Sequence, residues 1–218
     1  DDFGFYEKIK VPPPTWCPEC RMIRRMNFMN IRTLYKRSCD LCEKDVISMY
    51  HQDKPVKVYC LPCWWGDTWD GTEYGIDYDP SKNFFEQMLK LRNKTPFQTL
   101  ESLHTSNINT PYTNYSAYQK NCYLTYFADY GDTVLYTTFL AKSRDSVDCY
   151  NINESELCYG SIVGHKLYNC HFIIGCSNCH DVYFSRDCHD CQNCFGCVNL
   201  RKKNYYIWNQ PYTKEEYK

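Results

Sequence analysis

Cys17/Cys20, Cys39/Cys42 and Cys60/Cys63 form three Cys-x-x-Cys pairs within the first 63 residues, and each pair can present two thiolates to one metal ion. Tetrahedral zinc takes four soft ligands, which two such knuckles separated by ~15–20 residues supply from two turns of a zinc ribbon. Cys39, Cys42, Cys60 and Cys63 enclose 17 residues between their pairs, read as strand Val46–Tyr50, a turn ending at Pro55, and strand Val56–Tyr59. Cys20 and Cys39 enclose 18, so the first pair fits the second by spacing alone. The interval between those pairs reads as helix, which favours Cys39, Cys42, Cys60 and Cys63 as the ribbon. Six thiols cannot all saturate one zinc, so one or two ions are expected. Either Cys17 and Cys20 join His51 or another distant ligand at a second ion, or they stay unmetallated. A structural zinc contributes ~10 kcal/mol or more of binding energy to folding at neutral pH.

A second dense cluster comprises Cys176, Cys179, Cys188, Cys191, Cys194 and Cys197, with His180 and His189 beside it. The run departs from the ferredoxin pattern, lacking its three-residue final gap and following proline, which argues against an iron–sulfur site. Cys176, Cys179, Cys188 and Cys191 are candidate ligands of a second metal; the favoured reading is a packed ladder of thiols, since free cysteine behaves as a small buried hydrophobe. Disulfides are the remaining alternative. Arg21, Arg24, Arg25, Arg32, Lys36 and Arg37 are candidate phosphate contacts. Arg21, Arg24 and Arg25 share one helix face, with Met22, Met26 and Met29 on another. Pairing to the acidic residues Asp67, Asp70, Glu73, Asp77 and Asp79 is the favoured reading of these cations. None of the six histidines sits in a nucleophile or metallohydrolase motif, no glycine loop cradles phosphate, and no catalytic residue is assigned.

The formal net charge of -1 supplies no global pull toward nucleic acid or anionic membrane. No stretch approaches the ~18 uninterrupted apolar residues of a membrane-spanning helix. Sixteen cysteines fit either disulfide-rich secretion or metal binding in a reducing interior, and the knuckle spacing favours a cytoplasmic protein. Three sequons, beginning at Asn93, Asn114 and Asn153, would fit secretion, but such triplets arise by chance in a chain rich in Asn, Ser and Thr. The start at Asp1 is compatible with a leader removed or left out.

Four segments are expected. Residues 1–16 are an extended proline-rich arm ending in Val11-Pro12-Pro13-Pro14-Thr15. Residues 17–76 are the ribbon-like module, its small core supplied by Trp64, Trp65 and Trp69. Residues 77–120 hold a helix and linker, with Asp79-Pro80 at the helix start and Phe84, Phe85, Met88, Leu89 and Leu91 packing on a neighbour. Residues 121–218 repeat short Asn-Cys-Tyr-like units anchored at Cys122, Tyr136, Cys149, Cys158, Cys170, Tyr183, Cys194 and Tyr205. Two anchor steps make roughly 24 residues, about one coil of a parallel β-helix or related solenoid. Ser-Arg-Asp recurs at 143–145 and 185–187. An antiparallel meander is the alternative. Thr213 and Glu216 form a capping box at the start of a helix with almost no length after it, so the segment is expected to cap the solenoid and the natural chain to continue.

The runs Cys17–Arg21, Leu34–Asp40, Ile47–Tyr50 and Asp53–Pro55, with the tail Asn193–Arg201, resemble uncharacterised zinc-ribbon proteins of candidate-phyla bacteria. The resemblance covers most of the chain. It implies a zinc-ribbon head and cysteine-rich repeats, and carries no activity with it. The expected fold is mainly β: a small zinc-ribbon module, a helix, and a parallel β-helix or solenoid-like repeat domain. The function expected is structural, with a protein partner or self-association through the repeat surface. The alternatives are nucleic-acid binding or processing through the ribbon and segment 21–37, and a thiol redox or metal-handling enzyme.

Overall fold

The computed structural model describes residues 2–218, and the chain divides into two compact units between Ile31 and Arg32. The first holds two short helices, α1 (Asp2–Lys8) and α2 (Pro18–Met26). Helix α1 lies within the segment expected to be an extended arm. Its residues carry no proline, and only from Val11 onward do the prolines keep the backbone out of regular structure. Helix α2 starts as Pro18 at its first turn dictates, with the Cys17 sulfur accepting the Cys20 N–H at 3.2 Å. Its cations are engaged locally: Arg21 donates to the Tyr6 hydroxyl at 2.7 Å, and Arg24 lies over the Trp16 ring.

The second unit is mainly β and is dominated by a solenoid of about eight turns. Its strands are parallel, and the register runs Asn114↔Tyr126↔Thr138↔Tyr150↔Ile162↔Ile174. Equivalent residues are therefore 12 apart. This replaces the expected coil of roughly 24 residues: each step between sequence anchors is a full coil, not half of one. The parallel pairing excludes the meander. Bridges of the stack begin upstream of residue 121, linking Ser102 to Ser116 and Ile108 to Lys120.

Such a short coil closes because the chain bends at every third residue. From Tyr115 to Trp208 every third residue has positive φ, between 46° and 67°, and only Gly160, Gly175 and Gly196 among them are glycine. The left-handed conformation costs an L-residue ~1–2 kcal/mol, so the fold must offset this at each bend. It does so through hydrogen bonds to the coils on both sides. Tyr123 N–H donates to the Val134 carbonyl at 3.1 Å, and Tyr136 N–H donates to the Tyr123 carbonyl at 2.9 Å. Side chains at the bends also stack on their equivalents one coil away, as in Tyr118–Tyr130 at 4.5 Å and Phe127–Phe139 at 5.1 Å. At Gly160 the missing Cβ makes room for the Phe172 ring of the next coil, which an added Cβ would meet at 2.8 Å.

The residue after each bend points inward, and the narrow bore selects small side chains. All ten cysteines from Cys122 onward are buried. With Ser, Thr, Val, Ala, Leu and Ile they form one continuous core. From Thr137 onward the inward hydroxyls and thiols follow one rule, donating to the carbonyl two residues earlier. Ser143 reaches Ala141 at 3.0 Å, Cys179 reaches Ser177 at 3.3 Å, and Cys194 reaches Gln192 at 3.1 Å. The Ser-Arg-Asp echo reflects this triplet rather than the coil, since Ser143 and Ser185 are both inward but lie on different sides of it.

The stack is closed at its C-terminal end by Asn204–Ile207 pairing antiparallel with Gln210–Pro211, which breaks the parallel ladder. The capping box of Thr213 and Glu216 then starts helix α5 (Lys214–Tyr217), as expected. Upstream lie strands β1 (Tyr35–Ser38), β2 (Asp45–Ser48), β3 (Val58–Tyr59) and β4 (Phe97–Gln98), with helices α3 (Leu61–Trp64) and α4 (Phe84–Lys94). Helix α4 is capped by Asn83, whose side chain accepts the Phe85 and Glu86 N–H groups, rather than by Asp79, which closes its own turn onto Ser81. Most of the apolar residues expected to pack on a neighbour do not: Phe84, Phe85, Met88 and Leu89 are exposed, and only Leu91 is half-buried.

Two outcomes test this core. Cys158→Ser keeps the inward donor and should shift unfolding by less than about 1 kcal/mol in urea denaturation, whereas Cys158→Phe overfills the bore and should destabilise by about 2 kcal/mol or more. Burial pushes the thiols of Cys158, Cys170 and Cys194 up from 9.0 to about 12. A raised folded pKa on an acid means that stability is full below pH 9.0 and falls as unfolded thiols ionise between there and about 12. Circular dichroism should therefore record alkaline unfolding in that window; a denaturation midpoint unchanged up to its upper end would contradict it.

Candidate metal centre

The β1–β2 hairpin carries Cys39 and Cys42 in its turn, where Glu43 adopts a positive φ of 59° and lets Cys39 N–H reach the Lys44 carbonyl at 2.9 Å. Cys60 and Cys63 follow β3, with Cys60 at the N-cap of α3. The strand pairing differs from the expected hairpin of Val46–Tyr50 with Val56–Tyr59. Strand β2 turns back onto Tyr35–Ser38, and β3 pairs in parallel with Phe97–Gln98. The turn through Pro55 thus joins two small sheets rather than two strands of one.

The four sulfurs of Cys39, Cys42, Cys60 and Cys63 all lie within 4.8 Å of one another, and among the described residues this is the one group of potential metal ligands so assembled. Cys42 and Cys60 sulfurs are 3.8 Å apart. A tetrahedral ion with metal–sulfur bonds of about 2.3 Å has sulfur–sulfur edges of about 3.8 Å, so the donor set fits a soft tetrahedral cation. Backbone N–H groups point at the sulfurs: Cys60 N–H donates to Cys39 Sγ at 3.2 Å. Burial raises the Cys39 pKa, but the N–H groups of Cys42, Cys60 and Leu41 outweigh it and bring the thiol to about 7. Burial raises Cys60 and Cys63, the latter further through the neighbouring Cys60 and Cys42 thiols. Thiolates this crowded repel one another, and a central divalent cation removes that penalty.

The two knuckles are fastened together by Asp40, which sequence reasoning passed over. Its carboxylate accepts Val58 N–H at 2.6 Å and Arg37 Nη2 at 2.8 Å, while its own N–H donates to the Val58 carbonyl at 3.0 Å. An acid inside a Cys-x-x-Cys turn was the available signal. Tyr59, Trp64 and Trp69 pack around the cysteines, whereas Trp65, expected there as well, is exposed, and Trp69 Nε1 donates to the carbonyls of Cys63 and Trp64.

The other predicted site residues are placed as follows. Cys17 and Cys20 are exposed in the first unit and do not belong to the quartet. His51 packs edge-on against Tyr35. Arg21, Arg24 and Arg25 lie in the first unit, and Arg32, Lys36 and Arg37 in the second. Arg32 donates to the Thr138 hydroxyl at 2.8 Å and lies over the Tyr126 ring. Cys176, Cys179, Cys188 and Cys191 occupy inward positions on two consecutive coils, and each thiol donates to a backbone carbonyl. Cys176 also meets Cys179 and Cys188; these contacts raise its pKa and lower theirs, Cys188 to about 7. Among the described residues, no helix is long and apolar enough to cross a membrane. No family model matches the chain, and no curated protein matches it significantly.

Metal analysis of the reduced chain should find an ion that Cys39→Ser or Cys60→Ser removes and Cys17→Ser leaves in place. Equal loss on Cys17→Ser would place the first pair in the coordination shell.

Proposed function

We propose that the chain is a zinc-held, non-catalytic scaffold that docks a protein, a second copy of itself included, on the outer surface of its solenoid. Zinc is the reading that best suits four cysteine sulfurs at tetrahedral spacing with N–H groups aimed at them, because it favours sulfur-rich tetrahedral sites and brings no redox change. Its role is to fold the head of the second unit, whose hairpin and two-residue strands have little core of their own.

The observation that carries the docking role is the division of the solenoid surface into two halves. Residues at equivalent bends fall into four columns. One column reads Leu124, Tyr136, Asp148, Gly160, Phe172, Phe184, Gly196 and Trp208; the adjoining one begins Tyr115, Phe127 and Phe139. Tyr136, Phe172, Phe184 and Trp208 are 52%, 43%, 56% and 73% exposed, although burial is what such rings gain most from. Intermediate positions beside them add Tyr123, Tyr159, Tyr183 and Phe195. Of the two remaining columns, one begins with Tyr118 and Tyr130 and is polar from there on, reading Lys142, Glu154, Lys166, Asn178, Asp190 and Lys202, and the other is polar apart from Leu157 and Tyr205. Ion pairs between coils run along that half, Lys120 to Asp132 at 3.4 Å and Arg144 to Glu156 at 2.7 Å. Coils stacked at about 4.8 Å spread the rings from Tyr136 to Trp208 over roughly 30 Å, and exposed apolar surface of that extent marks interaction sites.

The basic residues favour no nucleic-acid reading, since Arg21, Arg24 and Arg32 are engaged with protein groups and Arg37 is buried away from the outer surface. Sedimentation of the metal-loaded chain across a concentration series, with cross-linking to partners purified alongside it, tests the proposal. The double variant Phe172→Asp/Phe184→Asp should abolish association without lowering the thermal midpoint by more than a few degrees, and Lys142→Glu/Lys166→Glu should leave it intact. Association that survives the first pair of changes and is lost with the second would place the interface on the polar half and refute the assignment.

A further inference from the structure

A cleft of about 730 Å³ opens beside the cysteine quartet, within the range of small-ligand sites. Its walls are the β1–β2 hairpin, the Cys60–Pro62 knuckle and the loops that lead into the solenoid. Val46, Ile47, Leu61, Pro62 and Leu100 supply apolar surface. Lys36, Arg37 and His104 supply nitrogen donors, and Asp45 is the one carboxylate among the lining residues.

Arg37 distinguishes this cleft from a chance hollow. Its side chain is only 5% exposed, and Asp40 holds one edge of the guanidinium through Nη2 at 2.8 Å. The Nη1 group is buried and has no hydrogen-bond partner; His104 Nδ1 is buried and unpartnered as well. Buried polar groups in folded proteins are nearly always satisfied, so two orphans on residues that line the same cleft point to an absent partner. Both positions suit an oxyanion: a guanidinium positioned by one carboxylate still has donors for a second, and imidazole can donate from either nitrogen.

We propose that this cleft binds a small organic anion, a phosphate monoester or carboxylate on an apolar body. The anionic head pairs with Arg37 and His104, and the body lies on Val46, Leu61 and Leu100. Lys36, exposed at the rim, adds attraction at longer range. The site is separate from the solenoid face, so its test does not depend on association.

Titration calorimetry of the metal-loaded full chain with phenyl phosphate, benzoate, inorganic phosphate and benzyl alcohol decides the matter. One-site binding of phenyl phosphate or benzoate is expected, at least about tenfold tighter than benzyl alcohol or inorganic phosphate, and the better of the two identifies the head group. Arg37→Gln and His104→Asn should each weaken that binding at least about fivefold at unchanged metal content. Because Arg37 also braces Asp40, His104→Asn alone decides if Arg37→Gln loses its metal. No saturable heat with either anionic aryl probe, equal affinity for benzyl alcohol, or wild-type affinity in His104→Asn overturns the proposal.

Discussion

A coil of 12 residues leaves space for one inward side chain per side, and the rest of the second unit follows from that limit. To close so short a circuit the backbone bends at every third position into a conformation that L-residues normally avoid. The bends are tolerable only where coils above and below accept and donate the resulting hydrogen bonds, so no single coil is stable by itself. The same geometry aligns equivalent side chains along the axis. Inside, it demands small residues; outside, it places rings on rings. The stacked outer rings, the core composition and the need for a terminal cap are consequences of one closure condition.

That condition explains what the sequence revealed and what it concealed. The cysteine knuckles were legible because metal ligation constrains residue type and spacing together, and Cys39, Cys42, Cys60 and Cys63 assemble as their spacing indicates. Parallel coils were legible from the recurring Asn-Cys-Tyr units. Their length was not, because aromatic and cysteine anchors fall on different columns and so recur at uneven steps. The bends were legible only in part: Asn and Asp hold many of them, as at Asn121, Asp145, Asn151 and Asn169, but Tyr, Phe and Lys occupy others where turn chemistry leads one to expect glycine or asparagine. Lateral hydrogen bonding, a property of the stack, overrides the local preference.

In the head, local signals were weakest where tertiary pairing decided the outcome. Strand β2 has two plausible partners in sequence, and the short turn holding Cys39 and Cys42 selects Tyr35–Ser38. Asp40 stood out in sequence only as an acid inside a Cys-x-x-Cys turn, whereas its importance lies in bridging two knuckles distant in the chain. The Phe84–Leu89 stretch looked like a core face by periodicity, yet remains exposed, because periodicity states that a face is apolar and not what covers it.

The two sets of cysteines share a spacing and differ in chemistry. Cys176/Cys179, Cys188/Cys191 and Cys194/Cys197 are Cys-x-x-Cys pairs only because inward positions recur every third residue. The direction of hydrogen bonding tells them apart. In the head, the Cys60 N–H donates to the Cys39 sulfur, which stabilises thiolate and therefore metal ligation. In the solenoid, sulfur donates to carbonyl oxygen, which stabilises thiol as at Cys158, Cys170 and Cys194; Cys179 and Cys188, which meet the Cys176 thiol, are the exceptions. A knuckle places its cysteines where a turn leaves N–H groups free, whereas a solenoid coil has its N–H groups engaged with neighbouring coils and offers carbonyls instead. The backbone conformation around each pair, more than the motif, sets whether a cysteine serves as ligand or as packing.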